Sequence, residues 1–210
     1  MPDIILIGGG GHCVSCIEAI ESVGQWQIVG ILDVANRRGE TVLGYEIIGT
    51  DEAMPAIAKR IKYAIITVGH IATTATRKRL FEAAVGAGFE LPVICASTGY
   101  VSRHSDIGDG SIIMHHATVN ARVSIGKNCI INTGAIIEHD AIVGSHCHVS
   151  TGAIVNGGCN IGDGSFIGSG AVLKHGIRIE AGCVIGAGAT VTHDLAETGT
   201  YVGCPARRLR

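Results

Sequence analysis

From residue 101 onward an aliphatic residue returns at every sixth position. The series runs Val101, Ile107, Ile113, Val119, Ile125, Ile131, Ile137, Val143, Val149, Val155, Ile161, Ile167, Leu173, Ile179, Ile185 and Val191. All 16 positions are aliphatic. Four residues after most of them the side chain is small, as at Ala117, Cys129, Ala135, Cys147, Ala153 and Ala171; Val123, Ile177 and Leu195 depart from this. One large and one small inward position per six residues describe a short strand and a corner. Three such sides close a coil of 18 residues, and glycines repeat at that longer period: Gly108, Gly126, Gly144 and Gly162 in one column, Gly134, Gly152, Gly170 and Gly188 in another. The pattern predicts a left-handed parallel β-helix of about five coils, each burying its aliphatic positions on the next. Glycine is expected where a side chain would strain the backbone.

The first 98 residues follow another rhythm. The apolar run Ile4–Ile7 ends in Gly8-Gly9-Gly10-Gly11-His12, and helical spacing follows at Val14, Ile17, Ile20 and Val23. A second apolar run, Ile28–Leu32, closes on Asp33. That order predicts a βαβ unit. Further strands are expected at Ala64–Val68 and Leu91–Ile94, alternating with helical patterns at Asp51–Arg60 and Thr73–Ala87. Residues 1–98 therefore read as a Rossmann-like α/β domain with a parallel sheet, 99–195 as the β-helix and 196–210 as a C-terminal tail.

Composition narrows the setting. The 31 glycines in 210 residues fall short of collagen's one third, and 4 prolines do not make a Pro-rich disordered chain. Sixteen Lys and Arg against 18 Asp and Glu give a net charge of −2, with no basic footprint for nucleic acid or an anionic membrane. The run Ile4–Ile7 is far short of the roughly 20 residues of a membrane span. It also lacks the basic flank and cleavage site of a signal peptide, so a soluble, cytoplasmic protein is expected. Its 8 cysteines are not expected to pair in a reducing compartment. Cys129, Cys147, Cys159 and Cys183 take the small inward position as small hydrophobes. Cys13 and Cys16, formally a CxxC, read as packing residues one helical turn apart.

The glycine loop lacks the third glycine of the dinucleotide fingerprint, because position 13 is Cys13. Its N–H groups at a helix N-terminus still suit a phosphate. Asp33 suits a ribose or a base, and His12 can donate to the phosphate or cap the turn. Eight of the 10 histidines follow residue 100. His139, His175 and His193 each stand two residues after the aliphatic position on one side of the prism and share an edge. His139 and His193 have carboxylates beside them, in Glu138-His139-Asp140 and His193-Asp194, which can fix a tautomer and raise basicity. His139, in mid-stack, ranks first as a general base. His148 precedes Val149, and Thr133, Thr151, Ser169 and Ala187 form a column of small residues at 18-residue spacing on its side, a groove for an extended ligand. Zinc is the competing use. His115, His116, His139, His146 and His148 could converge on it across a subunit boundary, as in the γ-class carbonic anhydrases of the same fold. That use would leave the first domain without a role.

Several segments together resemble the bacterial sugar acetyltransferases of the bacillosamine, perosamine and sialic-acid pathways. They are IGGGGH at 7–12, ILD at 31–33, NTGAIIEHD at 132–140, HVSTGA at 148–153 and YVGCPARR at 201–208. The resemblance spans the chain and implies an acetyl-CoA-dependent N-acetyltransferase without a metal. Its substrate would be a nucleotide-activated amino sugar, UDP-linked first and GDP-perosamine next. It also implies a homotrimer with active sites between subunits and no nucleic-acid or membrane partner. His139 would be the general base, oriented by Asp140, and His148 would contact the thioester region of acetyl-CoA. Ser169 and Ala187 fall where the family's backbone holds the cofactor, and Gly10, Gly11, His12, Asp33 and Gly69 match nucleotide-sugar positions. Three positions depart from the family pattern. Asp140 stands where several relatives have Glu, Val34 follows Asp33 where one UDP-sugar branch has a second Asp, and His70 follows Gly69 where Asp or Asn is usual. O-acetylation of a sialic or legionaminic acid, with the same base acting on a hydroxyl, is the alternative within the class.

Overall fold

The computed structural model describes residues 1–209. Strand β1 (Asp3–Ile7) runs through the glycine loop into helix α1 (Gly11–Val23), and β2 (Gln27–Leu32) returns parallel to β1. A hairpin of β3 (Thr41–Val42) and β4 (Tyr45–Gly49) follows, then the single turn α2 (Met54–Ile57), strand β5 (Tyr63–Ile66) and helix α3 (Ala75–Ala87). The sheet has the order β3-β4-β2-β1-β5 and is parallel except for β3. Helix α1 packs Cys13, Cys16, Ile17 and Ile20 on one side of it, and α3 packs Leu80, Phe81 and Ala84 on the other.

The structure departs from the expected elements in three places. The helix expected over 51–60 is a 3-10 turn at Asp51–Ala53 followed by α2 alone. Pro55 can start a helix but cannot continue one from upstream, which leaves room for one turn. The β3–β4 hairpin carries no Asn-Gly signal because its two turn residues are Leu43 and Gly44, with φ of 48° and 87°. The strand expected at Leu91–Ile94 is instead β6 (Ile94–Cys95), which leaves the α/β sheet and pairs with Ile112–Ile113 in the second half.

From β6 onward the chain winds as a left-handed β-helix of three parallel faces. Each coil places two residues on each face, as at Ile130–Ile131, Ile136–Ile137 and Ile142–Val143. Strands 18 residues apart pair in register, Ile130 with His148 and Ile136 with Ile154. The second residue of each pair points inward, and the interior is filled by the aliphatic series with the small alanines and cysteines between them. The two glycine columns answer to different constraints. Gly134, Gly152, Gly170 and Gly188 have φ of 65–66° with open space where a Cβ would stand, so the backbone conformation is what requires them. Gly108, Gly126, Gly144 and Gly162 lie where one coil presses on the next; a Cβ on Gly162 would stand 2.4 Å from the Ala181 nitrogen.

The two units are docked through one face of the prism. Its outward residues Ile94, Ile112 and Ile130 pack against α1 and against Ile4 and Leu6 of β1. Further along the same face the outward residues are His148 and Phe166, with ring centroids 5.2 Å apart. Arg77 of α3 is fully buried and ties both units together. Its Nη1 donates to the carbonyls of Ile66 and Val68, each at 2.8 Å, and its Nε donates to that of Asn128 in the prism at 3.1 Å. His148 Nδ1 donates to the His70 carbonyl at 2.8 Å. Burial, assisted by the Arg77 charge, pushes His12 and His70 down to about 3 and His148 to about 4.

Two outcomes are expected. Gly170→Ala should cost about 1–2 kcal/mol for its left-handed backbone, while Gly162→Ala should cost more because the next coil must move; urea midpoints compare them. The second outcome concerns acid. All three histidines stay neutral when folded, whereas the same side chains in an unfolded chain protonate near 6.5. The unfolded state therefore binds more protons below about pH 6.5, and stability drops as pH falls from there toward 4. Tm at pH 5 should lie roughly 5 °C or more below Tm at pH 7.5, and His70→Asn should flatten that slope.

Candidate active site

The prism has three corners, and the candidate residues divide among them. His139, His175 and His193 lie on the corner between the two faces that do not contact the α/β domain, in the turns after Ile136–Ile137, Val172–Leu173 and Thr190–Val191. This corner is opposite the docked face. His139 Nδ1 lies 2.8 Å from Asp140 Oδ2. With Nδ1–H donating to the carboxylate, Nε2 keeps its lone pair, the form a base needs. Asp140 has φ of 62°, and its other oxygen pairs with Arg122, one coil earlier. The His139 contact, then Arg122, holds the Asp140 carboxyl below the usual carboxylate range. Gly157 lies beside the ring, where a Cβ would stand 2.8 Å from His139 Cε1. The His175 ring is 6.2 Å away, centroid to centroid.

Neighbouring carboxylates are sorted by this geometry. Glu138 turns away from His139 and accepts from Asn120 Nδ2 at 2.9 Å. At His193 the adjacent Asp194 accepts from the Arg178 backbone N–H at 2.9 Å, and His193 Nδ1 meets Thr192 Oγ1 instead. Of the two histidines with carboxylates beside them in sequence, His139 alone is held by one.

His148 occupies a different environment. It is 7% exposed on the docked face, and both ring nitrogens have partners: Nδ1 on the His70 carbonyl, Nε2 accepting from Asn132 Nδ2 at 3.1 Å. The column of small residues does not run through it. Thr133, Thr151, Ser169 and Ala187 lie in the turns of the corner next to that face, beside glycines with open space around them. Ser169 Oγ meets Ser150 Oγ at 2.9 Å.

The glycine loop closes on the side of His148. Gly8 has φ of 107° and abuts Val68, while Gly10 and Gly11 have nothing within 4 Å of a Cβ position. Gly10 is the N-cap of α1 without a side-chain cap, so the first-turn N–H groups face outward for an anion. His12 rests on Gly69 with its ring 6.2 Å from that of His148, and its Nε2 has no partner among the described residues. Asp33 braces the loop: Oδ2 accepts from Gly9 N at 2.9 Å and Arg37 Nη1 at 2.7 Å, and Oδ1 accepts from Val34 N at 2.8 Å.

The five histidines considered for zinc are dispersed. His115 and His116 lie at one corner, His139 at the second, His146 at the third against Phe81, and His148 on the docked face. Among the described residues no three His, Cys, Asp or Glu side chains are grouped to hold a metal. Cys13 and Cys16 are fully buried, and burial raises both thiols, that of Cys13 to about 11. Sequence reasoning missed Arg122, Asn132 and Gly157. The 18-residue period would have found Arg122, which stacks on Asp140.

Comparison with known proteins agrees with this layout. The family described as the PglD N-terminal domain matches residues 3–84, and the bacterial transferase hexapeptide repeats match residues 158–193. No curated protein sequence matches the chain. Among solved structures, a variant of perosamine N-acetyltransferase from Caulobacter crescentus, in complex with CoA and GDP-perosamine, is 30% identical. The alignment covers 100% of this chain and 98% of that one, with a TM-score of 0.94. The acetyltransferase domain of PglB from Neisseria gonorrhoeae, in complex with acetyl coenzyme A, is 30% identical over 99% of this chain and 98% of that one, with a TM-score of 0.92. WeeI from Acinetobacter baumannii shares the fold at 24% identity, over 100% of both chains, with a TM-score of 0.86. With the same two units in the same order along its whole length, the chain belongs to the hexapeptide-repeat bacterial sugar acetyltransferases, acetyl-CoA-dependent N-acyltransferases.

Proposed function

We propose that the protein transfers the acetyl group of acetyl-CoA to the C4 amine of a nucleotide-linked 4-amino-4,6-dideoxy sugar. The observation that carries this reading is His139, held by Asp140 with Nε2 left to accept a proton. The amine nitrogen attacks the thioester carbonyl carbon while His139 Nε2 takes its proton, and collapse of the tetrahedral species expels the CoA sulfur, which the proton on His139 then neutralises. Asp140 steadies the imidazolium formed in between. A backbone N–H of the prism supplies the oxyanion donor. The corner of small residues at Ser169 and Ala187 has room for an extended pantetheine chain, and His148 stands between that corner and the glycine loop. Gly10, Gly11, His12, Asp33 and Gly69 surround the diphosphate and ribose.

The base and the glycine loop of one chain lie on opposite sides of the prism. A complete site therefore takes His139 from one subunit and the loop from another, which supports a homotrimer. Eight free cysteines suit a reducing, cytoplasmic setting, and no described helix is long and apolar enough to cross a membrane. The perosamine enzyme is complexed with GDP-perosamine, which favours a GDP-linked sugar over the UDP-linked one ranked first from sequence. O-acetylation of a free sugar acid would leave the phosphate-ready loop unused.

His139→Asn should lower kcat by about 10²–10⁴-fold with nucleotide-sugar binding nearly unchanged, as CoA thiol release and calorimetry would report. Asp140→Asn should lose less. Mixing His139→Asn subunits with inactive Gly11→Asp subunits, then refolding together, should restore activity, because some sites draw an intact base and an intact loop from different chains. No recovery would place the whole site in one chain.

A further inference from the structure

A cavity of about 130 Å³ lies beside the glycine loop, at the C-terminal edge of the α/β sheet. Its walls are Ile7, Leu32, Val68 and Leu80, and its polar groups include Asp33, Asp51 and Arg79. None of Asp51, Arg79 or the apolar walls is used by the chemistry above. The cavity opens on the α3 side of the strand ends, whereas the N-terminus of α1 and His12 lie toward the prism. A diphosphate seated on the first turn of α1 would therefore send its sugar toward the prism and its nucleoside into this cavity. The apolar walls suit a planar base.

The polar groups are unevenly occupied. Asp33 already accepts three hydrogen bonds, from Gly9, Arg37 and Val34. One lone pair remains on Oδ1, enough for a ribose hydroxyl but not for a base edge. Among the described residues, Asp51 accepts only from Arg79 Nη1, at 2.8 Å through Oδ2. Its carboxylate can take two further donors, and Arg79 keeps unused N–H groups next to it. The pair thus presents a row of acceptor, acceptor and donor. Among the bases, guanine is the one whose Watson–Crick edge offers two adjacent donors, N2–H and N1–H, followed by the acceptor O6. Uracil offers one donor between two acceptors, and adenine one donor beside one acceptor.

We infer that Asp51 and Arg79 read the nucleobase and select guanine, so that the sugar is GDP-linked. This rests on the nucleotide-sugar reading above and deepens it. Asp51 takes the N1 and N2 protons, Arg79 donates to O6, and Asp33 holds the ribose while bracing the loop.

Calorimetry on the whole 210-residue chain with GDP, inosine diphosphate, UDP and ADP tests the assignment. Inosine diphosphate lacks only the N2 amine, so it should bind about 10-fold more weakly than GDP, and UDP weaker still. Asp51→Asn, which turns an acceptor into a donor, should weaken GDP by a similar factor and leave UDP unchanged. Equal affinity for GDP and inosine diphosphate would overturn the two-donor reading without any variant having to fold. UDP binding more tightly than GDP would overturn it too, and in both cases the nucleotide-sugar reading would stand. Absence of binding by every nucleoside diphosphate would overturn both.

Discussion

Everything in this molecule depends on one constraint, the in-register contact of each coil with the next along the prism. Two-residue strands are too short to be stable alone, so each face exists because residues 18 apart stack and bond in parallel. The corners are correspondingly tight. Gly162 lies so close to the next coil that even a methyl group would meet the Ala181 backbone. The same repetition places side chains on the corners at fixed spacing, and the His139–Asp140 pair is built there. Arg122, Asp140 and the glycine that makes room for the His139 ring come from successive coils.

The second organising contact is the docking of the α/β unit on one face. Isoleucines at Ile94, Ile112 and Ile130 point outward, which a solvent-facing strand would not tolerate in a row, and α1 covers them. Buried Arg77 then supplies polar partners on both sides of the junction without a carboxylate nearby. Burial, with a smaller contribution from its charge, keeps His12, His70 and His148 neutral. Docking on that face directs the glycine loop away from His139, so within one chain the two stand on opposite sides of the prism.

His148 illustrates how the tertiary structure sets a residue's surroundings. By sequence it stands among the small residues of a ligand groove, and the family resemblance ties it to the thioester. In the structure it is an outward residue on the docked face, with both nitrogens engaged and the small residues on the neighbouring corner. Its carbonyl partner, His70, is where the family pattern usually has Asp or Asn.

Sequence by itself determined the β-helix, the βαβ unit with its glycine loop, and the inward place of the four hexad cysteines, because each is a periodic or local signal carried by residue size and hydrophobicity. It could also single out His139 and His193 as histidines beside carboxylates. Which of the two is held by its neighbouring carboxylate only tertiary structure decided. Asp140 sits in a left-handed corner with Arg122 stacked on it and faces the imidazole, while Asp194 is drawn off by a backbone N–H and Glu138 by Asn120. The hairpin at Leu43–Gly44, the contact of Arg77 with the prism and the Asp51–Arg79 pair likewise left no sequence mark. Each joins residues distant in the chain, or rests on a backbone conformation that the residue type does not advertise. Periodicity reports what a residue packs on within its own repeat; which carboxylate meets which ring depends on where the corners place them.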